Sequence, residues 1–114
     1  MSDKDSLIFI KHILESINNI ENFTKNVERG KFLKDKEKQS AVIRQIEIIG
    51  EAAKNLPYSF TKNYSNIPWK EIIGTRDKMI HHYFGVDLDI VWDIVKENLP
   101  LLKSQLEELL KQEI

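Results

Sequence analysis

Phe9-Ile10-Lys11-His12-Ile13-Leu14-Glu15-Ser16-Ile17-Asn18-Asn19-Ile20-Glu21-Asn22-Phe23 is the stretch that decides the fold class. Here and just beyond, Phe9, Ile13, Ile17, Ile20, Phe23 and Val27 recur at steps of four, four, three, three and four. That spacing puts them on one stripe of an amphipathic helix about seven turns long. Ser2 or Asp3 supplies the N-cap, and Gly30 marks the expected end.

Working outward, the same periodicity returns. The charged connector 31–38 holds Phe32 and Leu33, which are expected to dock on the core. A second helix is predicted from Asp35 or Glu37 to Leu56, with Val42, Ile46, Ile49, Ala53 and Leu56 as its stripe and Pro57 as its stop. Residues 57–67 read as a loop anchored by Tyr58, Phe60 and Tyr64. Pro68 opens a third helix carrying Trp69, Ile72, Ile73, Met79 and Ile80 to Phe84-Gly85, with Gly74 as a candidate kink. Asp87 caps a fourth helix with Leu88, Val91, Ile94 and Val95 inward. Pro100 marks a break, and Leu102, Leu106, Leu109 and Leu110 form the stripe of a last helix. No strand pattern, internal repeat or coiled-coil array interrupts this series. The expected fold is all-α, an up-and-down bundle of four to five helices in one domain spanning 1–114.

Composition narrows the function classes. With 41% hydrophobic and 31% charged residues in 114, the chain is too apolar for disorder. The absence of cysteine excludes disulfides, thiolate zinc sites and a thiol nucleophile. No apolar run reaches the ~20 residues of a membrane span, and the polar start Met1-Ser2-Asp3-Lys4-Asp5 precedes no signal-peptide core. A cytoplasmic location is the expectation. The net charge of −1 excludes a globally basic nucleic-acid binder but permits a local basic cleft. Residues 62–83 carry four basic and two acidic side chains, whereas residues 84–114 carry three and seven.

Chemistry concentrates in Arg76-Asp77-Lys78-Met79-Ile80-His81-His82-Tyr83. At about 100° per residue, Arg76 and Tyr83 share a helix face, whereas Arg76 and His81 diverge by about 140°. One helix therefore does not aim all three at a small ligand, but two copies across a symmetry axis could. Arg binds a phosphodiester bidentately and stabilises its transition-state charge. His titrates near neutrality and moves protons, and Tyr stacks or hydrogen-bonds. The set suits RNA cleavage without a metal. The histidines, His12, His81 and His82, are poorly spaced for a metal site, and no cofactor motif is present. A structural role for a surface Arg and helix-end histidines is the competing reading.

Arg-x4-His-x-Tyr, formed by Arg76, His81 and Tyr83, resembles the motif of HEPN-domain proteins of the HepT-like kind. The stretches Ala41–Gln45 and Ile48–Ala53, then Ile67-Pro68-Trp69 through Gly74, then Val86-Asp87-Leu88, Val91-Trp92 and Leu99-Pro100, extend the resemblance over residues 5–110. The resemblance implies an all-α dimer whose two motifs form one cleft, acting as a metal-independent endoribonuclease. It implies the toxin half of a toxin–antitoxin module. The partner would be a minimal, MNT-type nucleotidyltransferase that transfers AMP to the motif tyrosine. By position, Arg76 and His81 are catalytic, Tyr83 is the modified residue, and His82 falls on the variable position. Asp77 departs from the Asn common in relatives. Its carboxylate would repel phosphate or pair with Arg76 or Lys78.

Glu51 either lines the cleft or pairs with Arg44. Gly50, costly in mid-helix, points to close helix packing. Trp69 and Trp92 are expected as core or interface anchors, with Trp69, Ile72 and Ile73 near the dimer contact. Two other function classes stay open: a non-catalytic module binding a nucleotide or its partner, and a structural helical adaptor.

Overall fold

The helix expected from the opening stretch forms, but its buried stripe is rotated and its end comes early. The computed structural model describes residues 3–81 and 86–113, the side chains of Ile80 and His81 excepted. Helix α1 spans Asp3–Thr24, and its buried line is Ser6, Ile10, Ile13, Ile17, Ile20 and Thr24. Phe9 and Phe23 lie on the flank, partly buried, and Phe9 meets His12 edge-on. The line runs at steps of four, three, four, three and four, and with Ser16 buried beside Ile17 the covered face takes in three hydroxyl residues. Thr24 is tolerated there because its Oγ1 donates to the Ile20 carbonyl at 2.8 Å. The helix stops at Thr24 rather than near Gly30. Asn26 adopts φ 60°, a left-handed conformation that an α-helix does not continue through.

A single turn, α2 (Arg29–Phe32), then buries Phe32 completely, as its apolar character in a charged connector implies. Helix α3 spans Lys36–Lys54, capped by Asp35, whose Oδ1 accepts from the Lys38 amide at 3.0 Å. It packs along both α1 and α5 and is the central element of the bundle. Residues 57–67 are more regular than a loop: α4 (Tyr58–Thr61) runs into a 3-10 turn, Lys62–Tyr64. Phe60 and Tyr64 are buried and stack on each other, but Tyr58 is 79% exposed and anchors nothing in the core.

Helix α5 spans Trp69–His81, tied at its start by Trp69 Nε1 donating to the Tyr64 carbonyl at 3.1 Å. Gly74 does not divide it. The expected end at Phe84-Gly85 lies outside the described residues. Helix α6 (Leu88–Asp93) has the expected cap, with Asp87 Oδ1 accepting from the amides of Asp89 and Ile90.

The expected break at Pro100 is absent. Helix α6 passes through a π turn, Ile94–Asn98, directly into α7 (Leu99–Glu113). A proline ring clashes with the carbonyl four residues back and lacks an N–H to bond it. The widened turn just before Pro100 accommodates both defects without ending the helix. The four long helical segments are therefore α1, α3, α5 and the continuous α6–α7 rod, and no strand forms among the described residues. Trp92 on that rod stacks against Phe32 with ring centroids 5.1 Å apart, so it is a core anchor as expected.

Candidate active site

Helix α5 differs from its neighbours in how it is covered. From Ile72 to Asp77 every side chain is partly buried, with no fully buried and no fully exposed face. Arg76 lies in this stretch, opposite Gly50 of α3. A Cβ built on Gly50 would overlap the Arg76 Cβ outright and would stand 3.1 Å from its Cγ and 3.2 Å from its Cα. The root of the Arg76 side chain thus packs directly on the α3 backbone, with no side chain from α3 between them at this point. The mid-helix glycine has the close-packing role its position suggested; its partner across the helices was not legible.

The Arg76 side chain is 22% exposed, and its Nη1 donates to Asp77 Oδ1 at 3.0 Å. Its Nε is buried and has no hydrogen-bond partner. Of the two partners open to the Asp77 carboxylate, Arg76 is the one it takes. Adjacent helix residues do not normally face each other, so the pair exists because the long guanidinium arm folds back. The consequence is chemical. The cation most suited to phosphate already carries an internal carboxylate, and an incoming phosphodiester must displace or share it.

His81 belongs to α5 by its backbone, five residues beyond Arg76. His82 and Tyr83 lie outside the described residues. Glu51 is exposed next to Gly50. Arg44 pairs with Glu47 at 3.4 Å rather than with Glu51, because a three-residue step brings those two side chains together on one side of α3. An open groove runs along this side of α3, lined by Lys36, Ser40, Ile43, Arg44 and Glu47, with Val86 and Leu88 beyond the motif. Neither Gly50 nor Arg76 lines this groove. A separate cavity of about 130 Å³ between α3, α5 and α7 is apolar, lined by Ile46, Ile49, Ile72 and Leu102, and does not include Arg76.

The arginine at a zero-clearance helix crossing, followed by histidine five residues on, sits within a match to a known family. The ribonuclease HepT-like family profile matches residues 13–109. The chain is a member of the HepT-like family. Three relatives match it over nearly their whole length. "Putative RNase MJ0127" of Methanocaldococcus jannaschii is 47% identical over 111 residues, covering 97% of this chain and 92% of the relative. "Probable ribonuclease HepT" of Thermococcus cleftensis is 48% identical, covering 90% and 94% of the two chains. "Putative RNase TTE0752" of Caldanaerobacter subterraneus is 42% identical, covering 92% and 94%. No solved structure is a significant match to this chain. Among the described residues of this HepT-like protein, no helix is long and apolar enough to cross a membrane.

Proposed function

We propose that this protein is an endoribonuclease and the toxin of a toxin–antitoxin module, cleaving RNA by transesterification without a metal. The observation that carries the reading is Arg76, a half-buried cation built into the α3–α5 contact of a HepT-like chain. The names of the relatives support a ribonuclease in general. The residue chemistry supports the finer assignment.

In this mechanism Arg76 binds the scissile phosphate and stabilises the charge that develops on it. His81 removes the proton from the 2′-hydroxyl. The 2′-oxygen attacks phosphorus, the bond from phosphorus to the 5′-oxygen breaks, and that oxygen takes a proton from an imidazolium. The products are a 2′,3′-cyclic phosphate and a free 5′-hydroxyl. Because Arg76 and His81 diverge by about 140° on one helix, the complete site is assembled from two chains. The half-buried Trp69, Ile72 and Ile73 belong near that contact. Tyr83 is seven residues after Arg76, a spacing that shares a face in a continuous helix, so AMP placed on its hydroxyl by an MNT-type nucleotidyltransferase would put a phosphodiester against the same guanidinium and exclude RNA.

The test is RNA cleavage by the pure protein with EDTA present. Cyclic-phosphate ends and a sedimenting dimer are expected. Co-expression with a cognate nucleotidyltransferase should add whole AMP masses at Tyr83 and abolish cleavage. AMP on Tyr58 or Tyr64 would refute that control. The Asp77 carboxylate on Arg76 favours a second reading, a non-catalytic module that holds a nucleotide or its partner. Retained RNA or nucleotide binding with no cleavage would select it.

A further inference from the structure

We infer that Gly50 is the positioning residue of the ribonuclease site, acting through Arg76; the inference rests on the reading of Arg76 given above. Two glycines lie on the helices that meet here, and the structure treats them differently. Gly74, two residues before Arg76 on the same helix, would meet nothing within 4 Å if it carried a Cβ. Gly50 would drive a Cβ into the Cβ, Cγ and Cα of Arg76. The Cα is backbone and the Cβ is the rigid root of the side chain, and no rotamer change moves either away; only the Cγ can swing aside. Ordinary carbon–carbon contact is about 3.5–4.0 Å. Relief therefore requires α5 to shift locally by more than about an ångström, carrying Arg76 with it.

The burial pattern says why this contact rather than another sets the position. Residues 72–77 of α5 are only partly buried, and the fully buried Met79 lies three residues beyond Arg76, so at Arg76 itself the Gly50 contact is the tightest constraint. At Arg76 the absence of a side chain at position 50 lets α5 sink against α3. That approach buries Nε and leaves the Nη end of the guanidinium as the part presented outward. Gly50 touches no substrate in this scheme. It fixes where the Arg76 Cα–Cβ bond points, and hence where the phosphate must lie.

The experiment compares Gly50→Ala with Gly74→Ala in the full chain. Gly50→Ala is expected to lower the kcat of RNA cleavage by roughly a hundredfold, the cost of an ångström-scale misplacement of a reacting group. Gly74→Ala should cleave at the wild-type rate. The chain has three arginines, Arg29, Arg44 and Arg76, so the Nε–H signals in a nitrogen–proton NMR spectrum are few. The signal lost in Arg76→Lys should move in Gly50→Ala, while those of Arg29 and Arg44 stay. Melting curves supply a readout free of activity. Gly50→Ala should lower the Tm by several degrees in the wild-type background and by much less in Arg76→Gly, which has no Cβ to overlap.

Full cleavage by a folded Gly50→Ala protein would overturn the inference, as would an unmoved Arg76 signal. An equal loss from Gly74→Ala, or the same Tm loss in both backgrounds, would do the same. Should the wild-type protein fail to cleave RNA, the ribonuclease reading falls, while the NMR and melting comparisons still decide whether Gly50 positions Arg76.

Discussion

Helix α3 has two long neighbours, and the two seams are built differently. Against α1 the bundle closes on an apolar line in which Ile10, Ile13 and Ile17 are completely buried, and each helix has a distinct inner and outer face. Against α5 the contact is a close approach of backbones at Gly50, and the facing helix is half covered on every side from Ile72 to Asp77. The first seam holds by volume and area removed from water, terms that tolerate a modest change of shape. The second holds a charged side chain in place and tolerates almost none. On the proposed function, α3 meets the apolar line of α1 along one seam and the chemistry of Arg76 along the other.

The sharpest way to break this division is Arg76→Ala. It should cost RNA cleavage on the order of a hundred- to a thousandfold, as loss of a transition-state donor does, while leaving the melting temperature nearly unchanged. His81→Ala should match it and His82→Ala should do much less; equal losses from the two histidine variants would sink their assigned roles. The converse variant is Ile17→Ala on the other seam. A completely buried isoleucine cut to alanine costs about 2–5 kcal/mol, measurable by denaturant unfolding. The cleavage rate per folded molecule should stay at the wild-type value. A large rate loss in that variant would show that the two seams are coupled.

Asp77→Asn sharpens the comparison from within the second seam. It removes the carboxylate that Arg76 Nη1 now engages. A unit charge about 4 Å from a phosphate in water is worth on the order of 1 kcal/mol. RNA binding, read by fluorescence anisotropy, should therefore tighten about fivefold at low salt and less at high salt. Unchanged affinity would mean that Asp77 does not compete with phosphate.

The smallest effect belongs to the Lys103–Glu21 ion pair between α7 and α1, at 2.7 Å and exposed to solvent. The hydrogen bond to Glu21, opposed by some desolvation, holds the Lys103 pKa above its ordinary 10.5. A raised folded-state pKa contributes stability that is complete below 10.5 and fades as the pH rises through the folded value. Lys103→Met should lower the Tm slightly at neutral pH, with the difference closing in strong alkali. A difference that persisted there would place its origin in packing of the lysine stem.

Much of this was readable along the chain because helices are written locally. The 3.6-residue period, the caps at Asp35 and Asp87, and the burial of Phe32 and Trp92 each depend on residues within a few turns or on apolar area alone. The motif was equally legible, since Arg76 and His81 lie five apart in one segment. What the local pattern misjudged were cases where a neighbour supplies or withholds cover. Phe9 and Phe23 are as apolar as the isoleucines, yet they lie on the flank of α1, outside its buried line. Tyr58 is aromatic but stands at a corner with nothing packed over it. Pro100 breaks helices in general, and here a π turn absorbs it.

The sequence by itself determined an all-α chain and the starts of the helices at Asp3, Lys36, Trp69 and Leu88, because those follow from short-range periodicity and side-chain type. Only the tertiary structure decided that Gly50 of α3 lies against Arg76 of α5, 26 positions later. A glycine states that something comes close; which atom comes close depends on how two helices cross, and that angle is set by the packing of the whole bundle.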